Sequence, residues 1–237
     1  MVIKMENSEI YADLAAAAVR GYALRTGRAL PARLSEPPLE ALTEEETSSL
    51  LALGREWEMK LYRFKRGHES LPRVKQVLGF LRGVSPESLL DVGSGRGVFL
   101  FPFLDAFPQA RATSLDILDH RVEFLEDIRL GGMSRLVPIR ADICDQPLPD
   151  KSADVVTMLE VLEHIPDAER AVQSAVRIAR RYVAVSVPSK PDNNPEHIHL
   201  LTKEILTEYF ARAGRARLHF GGVPGHLVLI AALKEGD

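Results

Sequence analysis

Two short segments hold most of the residues in this 237-residue chain whose types and spacing suit chemistry. The first is Leu-Leu-Asp-Val-Gly-Ser-Gly-Arg-Gly, Leu89 to Gly97, where an apolar run delivers Asp91 into a turn built on Gly93, Ser94, Gly95 and Gly97. Glycines at that density permit a tight turn and let a ligand approach the backbone, because no Cβ stands in the way. A second acid, Asp116, closes the next apolar run 25 residues after Asp91, a spacing suited to gripping ribose hydroxyls. The turn lacks the GxGxxG spacing of a dinucleotide site, and no lysine completes a GxxxxGK phosphate loop. The second segment, Thr157 to Asp167, holds Glu160, Glu163 and His164. If a helical turn begins there, residues three or four apart share a face, and Glu160 converges with Glu163 and His164. Two carboxylates and an imidazole suit a divalent cation when a fourth ligand arrives from elsewhere. They equally suit a general base with orienting partners, or mutual hydrogen bonding alone. His197 and His199 stand before a later helical pattern, which the fold could bring to the same place.

From Ser88 onward, short apolar runs alternate with helical ones. Strands are expected at Ser88–Val92, Arg111–Leu115, Leu136–Arg140, Val155–Leu159 and Tyr182–Val187. The last of these is a continuous β-rich run fit for a strand buried on both faces. Helices are expected from the glycine turn to about Phe107, over Asp119–Arg129, over Pro166–Arg181, and over Thr202–Phe210 with Thr202 near the cap. Two closing strands, Arg217–Phe220 and His226–Ala231, flank a loop with Gly221, Gly222, Pro224 and Gly225. Strand–helix alternation implies a mostly parallel sheet covered on both faces, with ligands at the carboxyl ends of its strands. The closing pair implies an antiparallel hairpin at one edge.

The first 85 residues read differently, as a helical extension or lid ahead of a domain over residues 86–237. Tyr11 to Leu24 is an Ala-rich helical pattern, broken by Gly27 and the Pro31–Pro38 stretch. An acidic stretch, Glu36–Glu46, leads into a second helical pattern in which Trp57, Leu61 and Phe64 recur at i, i+4 and i+7 and should share one face. Around them, Arg55–Lys75 carries seven Lys/Arg and three Glu. That is either a solvated helix face or a lid surface that attracts an anionic partner.

Composition narrows the classes. With 46% hydrophobic and 27% charged residues the chain is globular rather than disordered. A net charge of −3 gives no global pull toward nucleic acid or an anionic membrane, which leaves Arg55–Lys75 as the one local basic patch. No apolar run approaches the roughly 20 residues of a membrane span, and the N-terminal stretch lacks the apolar core of a secretory signal. A cytoplasmic location without membrane contact is the expectation. The single cysteine, Cys144, excludes an internal disulfide, and any metal here is held by carboxylates and imidazoles.

Over roughly Pro86 to Leu233 the chain resembles the class I S-adenosylmethionine-dependent methyltransferases. The likeness lies in Asp91-x-Gly93-x-Gly95-x-Gly97, the acid Asp116, the Ala141-Asp142-Ile143 segment after the third strand, and Leu159-Glu160-Val161-Leu162-Glu163-His164-Ile165-Pro166 after the fourth. The resemblance implies a Rossmann-like, seven-stranded sheet with a reversed final hairpin. It also implies methyl transfer from the sulfonium donor to a small or medium-sized acceptor. Donor residues are then Gly93 to Gly97 along the methionine part, Asp91 near its amino group, Asp116 with Ile117 at the ribose, Asp142 and Ile143 at the adenine, and Glu160 beside them. Glu160, His164 and His197 become the acceptor-side catalytic candidates. Within the family, Glu160-x-x-Glu163-His164 followed by His197 is similar to the small-RNA 3′-terminal ribose 2′-O-methyltransferases. That likeness implies Glu160, Glu163, His164 and His197 as ligands of Mg or Mn. His199, Leu200 and Leu201 depart from that group's pattern. A nucleic-acid acceptor bound through Arg55–Lys75 and a non-catalytic donor-binding protein are the competing classes.

Overall fold

The computed structural model describes residues 9–145, 148–214 and 216–234. Seven strands form one sheet: β1 (Ser88–Val92), β2 (Arg111–Asp116), β3 (Leu136–Arg140), β4 (Ala153–Leu159), β5 (Ala179–Pro188), β6 (Ala216–Val223) and β7 (His226–Leu233). Their order is β3-β2-β1-β4-β5-β7-β6, with β1 to β5 parallel and β7 antiparallel to both its neighbours. The chain starts in the middle at β1, runs outward to β3, and returns to β4 beside β1. That reversal opens a crevice at the carboxyl ends of β1 and β4. The expected seven-stranded architecture with its closing hairpin is therefore present.

Alternation along the central strands divides the core in two. Leu89 and Val155 point into one layer, and Leu90 and Val156 into the other. The second layer is closed by α7 (Ala168–Ile178) and α8 (Lys203–Ala213). Thr202 caps α8, its hydroxyl accepting from the Ile205 N–H at 3.4 Å.

The first layer is closed by α5 (Leu100–Ala106), α6 (Asp119–Leu130) and the N-terminal helices α1 (Ala12–Thr26), α2 (Ala32–Ser35), α3 (Glu44–Glu56) and α4 (Pro72–Val84). Residues 9–85 thus share one apolar cluster with the sheet. The approach of α1 to α6 is backbone to backbone: a Cβ on Gly21 would stand 1.7 Å from the Asp127 carbonyl oxygen. Arg25 fastens the same contact through a two-pronged pair with Asp127 at 2.7 and 3.0 Å.

Two expected helices differ. The pattern through Trp57, Leu61 and Phe64 is not one helix. Instead α3 stops after Glu56, Glu58 takes a left-handed φ of 57°, and the Met59 N–H closes back onto the Gly54 carbonyl at 2.9 Å. A 3-10 turn at Leu61–Phe64 follows, which still buries Leu61 and Phe64. The acids Glu44 to Glu46 instead form the first turn of α3 behind a Thr43–Glu46 capping box. At the other site, the helix expected to reach Arg181 ends at Ile178. Ala179–Arg181 already belong to β5, where Ala179 pairs with Ala153 and a bulge resets the register before Tyr182. The basic stretch does not lie on one helix either. Arg66 is paired to Asp105 and stacks on Tyr11, and Arg63 lies over Phe124. Among the described residues, no helix is long and apolar enough to cross a membrane.

Candidate active site

A cavity of about 570 Å³ lies over the carboxyl ends of β1, β2 and β4. Its floor is the glycine loop. The Gly93 N–H donates to the Leu115 carbonyl at 2.7 Å, which ties the loop to β2. Ser94 Oγ donates to the Asp91 carbonyl at 3.2 Å, and Ser114 Oγ donates to Ser94 Oγ at 2.8 Å. Asp116, buried at the end of β2, accepts from the Gly95 N–H at 3.3 Å, the Leu118 N–H at 3.0 Å and the Arg121 guanidinium at 3.4 Å. A carboxylate held by two backbone amides is fixed in place.

Asp91 sits differently. Its Oδ1 accepts from the Thr157 hydroxyl at 2.6 Å, while its buried Oδ2 has no partner among the described residues. Burial pushes the Asp91 carboxyl up to about 6, against the Thr157 hydrogen bond that favours its ionised form. Asp91, Gly93, Ser94, Gly95, Asp116, Ile117, Asp142, Ile143 and Glu160 all line the cavity. Ile117 projects at the rim, 60% exposed, and Asp142 accepts from the Cys144 N–H at 2.8 Å in a local turn. Gly97 is not among the lining residues. With φ at 82°, it lies over Phe101, whose ring a Cβ would meet at 2.5 Å. Its place is the packing of the loop on α5.

The acceptor side departs from the expected convergence. Glu160, the residue after β4, has a left-handed φ of 58°, a strained value for a residue with a Cβ. It turns toward β5 and β7: Oε1 accepts from Ser186 Oγ at 2.6 Å, and Oε2 lies 3.0 Å from His226 Nε2. The 3-10 turn Leu162–His164 brings Glu163 and His164 to His197 instead, with one ligand atom of each within 4.8 Å of the others. His164 lines the cavity; Glu163 and His197 stand behind it. Glu163 is 0% exposed, and neither carboxylate oxygen has a partner among the described residues. Burial drives its carboxyl up to about 8, and the neighbouring Glu160 and Asp192 charges push the same way.

The two imidazoles are oriented from behind. His164 Nδ1 donates to the Glu196 carbonyl at 3.0 Å, and His197 Nδ1 lies 2.8 Å from the Asp192 carboxylate. Their rings meet edge to face, 4.8 Å between centroids. These partners come from the segment between β5 and α8, a strap pinned across the Glu163 turn by the Ile198 N–H, which donates to the Glu163 carbonyl at 2.9 Å. His199 stands apart from the cluster, its Nε2 on the Ile165 and Pro166 carbonyls at 3.0 and 3.2 Å. Burial pushes the Cys144 thiol up to about 11, and the neighbouring Asp142 carboxylate adds to it.

Residues 90–184 match the family model described as "Methyltransferase domain". The fold is that of the class I S-adenosylmethionine-dependent methyltransferases. A ubiquinone biosynthesis O-methyltransferase of Cupriavidus pinatubonensis is 26% identical over 151 residues, 64% of this chain and 60% of that relative. The chain therefore spans less than two thirds of the length of that curated relative. Among solved structures, a SAM-dependent methyltransferase from Aquifex aeolicus aligns with a TM-score of 0.59 at 18% identity, over 72% of this chain and 94% of that one. The [4+2]-cyclase SpnF aligns with a TM-score of 0.53 at 18% identity, over 63% of this chain and 75% of that one. Two differently named activities on one architecture mean that the reaction must be read from the site.

Thr157, Ser186, Asp192, Glu196 and His226 were absent from the candidate residues read in the sequence. Only His226 had a local signal, standing directly after the Pro224-Gly225 turn.

Proposed function

We propose that this protein transfers the methyl group of S-adenosylmethionine to a small or medium-sized acceptor at oxygen or nitrogen. The observation that carries this reading is the pair of unlike carboxyl groups on the cavity floor. Asp116 is locked by backbone amides and presents fixed acceptor oxygens to the two ribose hydroxyls. Asp91 keeps one buried oxygen unpartnered, which suits the donor's ammonium. Asp142 and Ile143 take the adenine, Ile117 at the rim lies with Asp116 at the ribose, and the Gly93–Gly95 backbone runs along the methionine part. A cationic donor without pyrophosphate fits a floor with acids and no phosphate-loop lysine.

Transfer is a direct displacement. The acceptor's lone pair forms the new bond to the methyl carbon while the carbon–sulfur bond breaks, and its electrons return to sulfur, leaving a neutral thioether. The chain's part is alignment and exclusion of water. His164 is placed to take the acceptor's proton, because its Nδ1–H is committed to the Glu196 carbonyl and Nε2 is the free lone pair. Glu160 belongs to the cavity wall, with both oxygens engaged.

Calorimetry with S-adenosylmethionine, its demethylated product and NAD tests the reading. Micromolar binding of both adenosyl compounds supports it, and binding of NAD alone overturns it. Transfer of labelled methyl to a small-molecule extract separates an enzyme from a mere donor-binding protein.

A second reading, a bound divalent cation, is favoured by the partnerless buried carboxylate of Glu163 beside two imidazoles. The donor set fits such an ion: one carboxylate and two Nε2 atoms, with Asp192 and the Glu196 carbonyl orienting the rings from behind. Imidazoles favour Mn over Mg. Glu160 is turned away from the set, so three of the four ligands expected by resemblance remain. Such an ion would lower the pKa of an acceptor hydroxyl. Mn²⁺ titration followed by electron paramagnetic resonance should show one site that Glu163→Gln removes. Equal binding by the variant ends this reading.

A further inference from the structure

A second cavity, of about 290 Å³, lies between α1, α6 and the segment that follows α3. It shares no lining residue with the cavity at the carboxyl ends of the strands. We infer that it is a second ligand site, separate from the methyl-transfer centre, for a small aromatic zwitterion of the amino-acid type.

The apolar part of its wall is aromatic. Tyr22 and Trp57 stand with ring centroids 6.2 Å apart, and Phe64 and Phe124 with theirs 5.5 Å apart. Arg28 lies over Tyr22 and Trp57, 5.7 and 5.1 Å from their centroids, and is not a lining residue, so it stacks on these rings from outside the cavity. Four rings around a cavity at the small end of the range for ligand pockets suit one planar ring.

The polar part is only half answered within the chain. Arg25 takes both Glu123 and Asp127. Arg63 has no acid of its own: its guanidinium rests over Phe124, 5.0 Å from the centroid, and its buried Nε–H has no acceptor among the described residues. Buried donors are normally satisfied, and a ligand carboxylate offers two oxygens in the geometry that a guanidinium takes best. Lys60 and Glu58, exposed at the rim, make no ion pair or side-chain hydrogen bond with a described residue. Three cations (Arg25, Lys60, Arg63) and three acids (Glu58, Glu123, Asp127) line the cavity, so the balance is zero with His120 neutral. A ligand carrying both signs matches that balance better than a bare anion or cation.

Backbone strain points to the same place. Glu58 holds a φ of 57°, and such residues, kept only where their surroundings impose them, gather at ligand clamps. The turn at Glu58 ends α3 and carries Lys60 and Arg63, from the basic stretch Arg55–Lys75, to the cavity. The ligand's ring then lies against Tyr22 and Trp57, its carboxylate on Arg63 with Lys60, and its ammonium on Glu58.

The test uses the full chain and L-phenylalanine as the probe. Calorimetry measures affinity, and the emission of Trp57, the single tryptophan of the sequence, reports the place. Phenylalanine should bind saturably with a matching change in emission. Phenethylamine, which lacks the carboxylate, should bind about tenfold more weakly, as expected for lost charge-assisted hydrogen bonds. 3-Phenylpropanoate, which lacks the ammonium, should bind about threefold more weakly, because its partner Glu58 is exposed. Arg63→Gln should weaken phenylalanine about tenfold and leave phenethylamine as it was, a pattern that a misfolded variant does not give, and Arg63→Lys should restore part of the loss. No binding of phenylalanine overturns the inference, as does equal or tighter binding of either truncated probe. Binding without a change in Trp57 emission, or binding abolished by the demethylated donor, places the ligand elsewhere and overturns it too.

Discussion

The two ends of the donor cavity are built by different means. At the Asp116 end, the carboxylate at the tip of β2 is locked by the Gly95 and Leu118 amides and Ser114 bonds Ser94, each contact lying within 25 residues of sequence. At the His164 end, the turn after β4 is completed by a strap some 30 residues later and by His226 from β7. Asp116 is satisfied before any ligand arrives, and only Asp91 Oδ2 at that end has no partner among the described residues. The second holds a buried carboxylate with no partner among the described residues. Groups that are satisfied in advance serve one fixed ligand geometry. Groups left unanswered mark where ligand chemistry is still to be supplied.

The contrast breaks most easily at Asp116. Asp116→Ala should weaken the demethylated donor by about 100-fold, since hydrogen bonds to a charged group contribute roughly 1.5–3 kcal/mol each. His197→Ala should leave that affinity unchanged. Comparable losses from both substitutions, measured by calorimetry, would mean that the cavity does not divide as described. Gly97→Ala tests the same loop through stability. A Cβ there meets the Phe101 ring at 2.5 Å on a backbone with φ of 82°. Overpacking and left-handed strain together should cost about 2–4 kcal/mol. Urea denaturation reads this directly, and a loss under 1 kcal/mol would show that the loop simply shifts.

The same division governs what the sequence makes legible. The strands are visible because Leu89-Leu90 and Val155-Val156 are consecutive apolar residues buried on both faces. The glycine loop, Asp116 and the Thr202 cap are visible because each is a local pattern with a local cause. Glu58 is not: nothing in Glu56-Trp57-Glu58 announces a left-handed residue, so an i, i+4, i+7 pattern read straight through it. Glu160 fails for a related reason. Helical spacing places it with Glu163 and His164, but its own left-handed φ swings the side chain to Ser186. His226 reaches that carboxylate only because β7 pairs antiparallel with β5, with His226 opposite Pro188, a register no spacing reveals. The strap contacts are likewise long-range.

A smaller effect concerns Asp91, whose buried Oδ2 has no partner among the described residues. Unfolded, its carboxyl ionises near the usual value of about 4, and folded it ionises at about 6. Between these values the folded chain holds a proton that the unfolded chain has lost. Its contribution to stability is therefore fullest below about pH 4, declines as pH rises through 6, and is flat above. Asp91→Asn should remove that slope and be about 1–2 kcal/mol more stable than wild type at pH 8. It should also lose donor affinity. In wild type, affinity for the donor's ammonium should rise with pH through 6 as Asp91 ionises, and in the variant it should be flat. Equal slopes in the wild-type and Asp91→Asn stability profiles between pH 4 and 7 would mean that Oδ2 is satisfied in solution.

The smallest effect probes the strap itself. His199 pins it to the Ile165 and Pro166 carbonyls, next to the Ile198 amide that donates to Glu163. His199→Ala removes side-chain hydrogen bonds worth about 1 kcal/mol, which in exchange terms is roughly a fivefold increase in local opening. Hydrogen exchange at the Ile198 amide should accelerate by about that factor, while exchange in the Gly93–Gly97 loop and donor affinity stay as they were. The acceptor KM should rise with it, because Glu196 and Asp192, which orient His164 and His197, ride on the same strap. If the glycine loop also exchanged faster, the two ends would be one cooperative unit, and their separate construction would have no consequence for their motion.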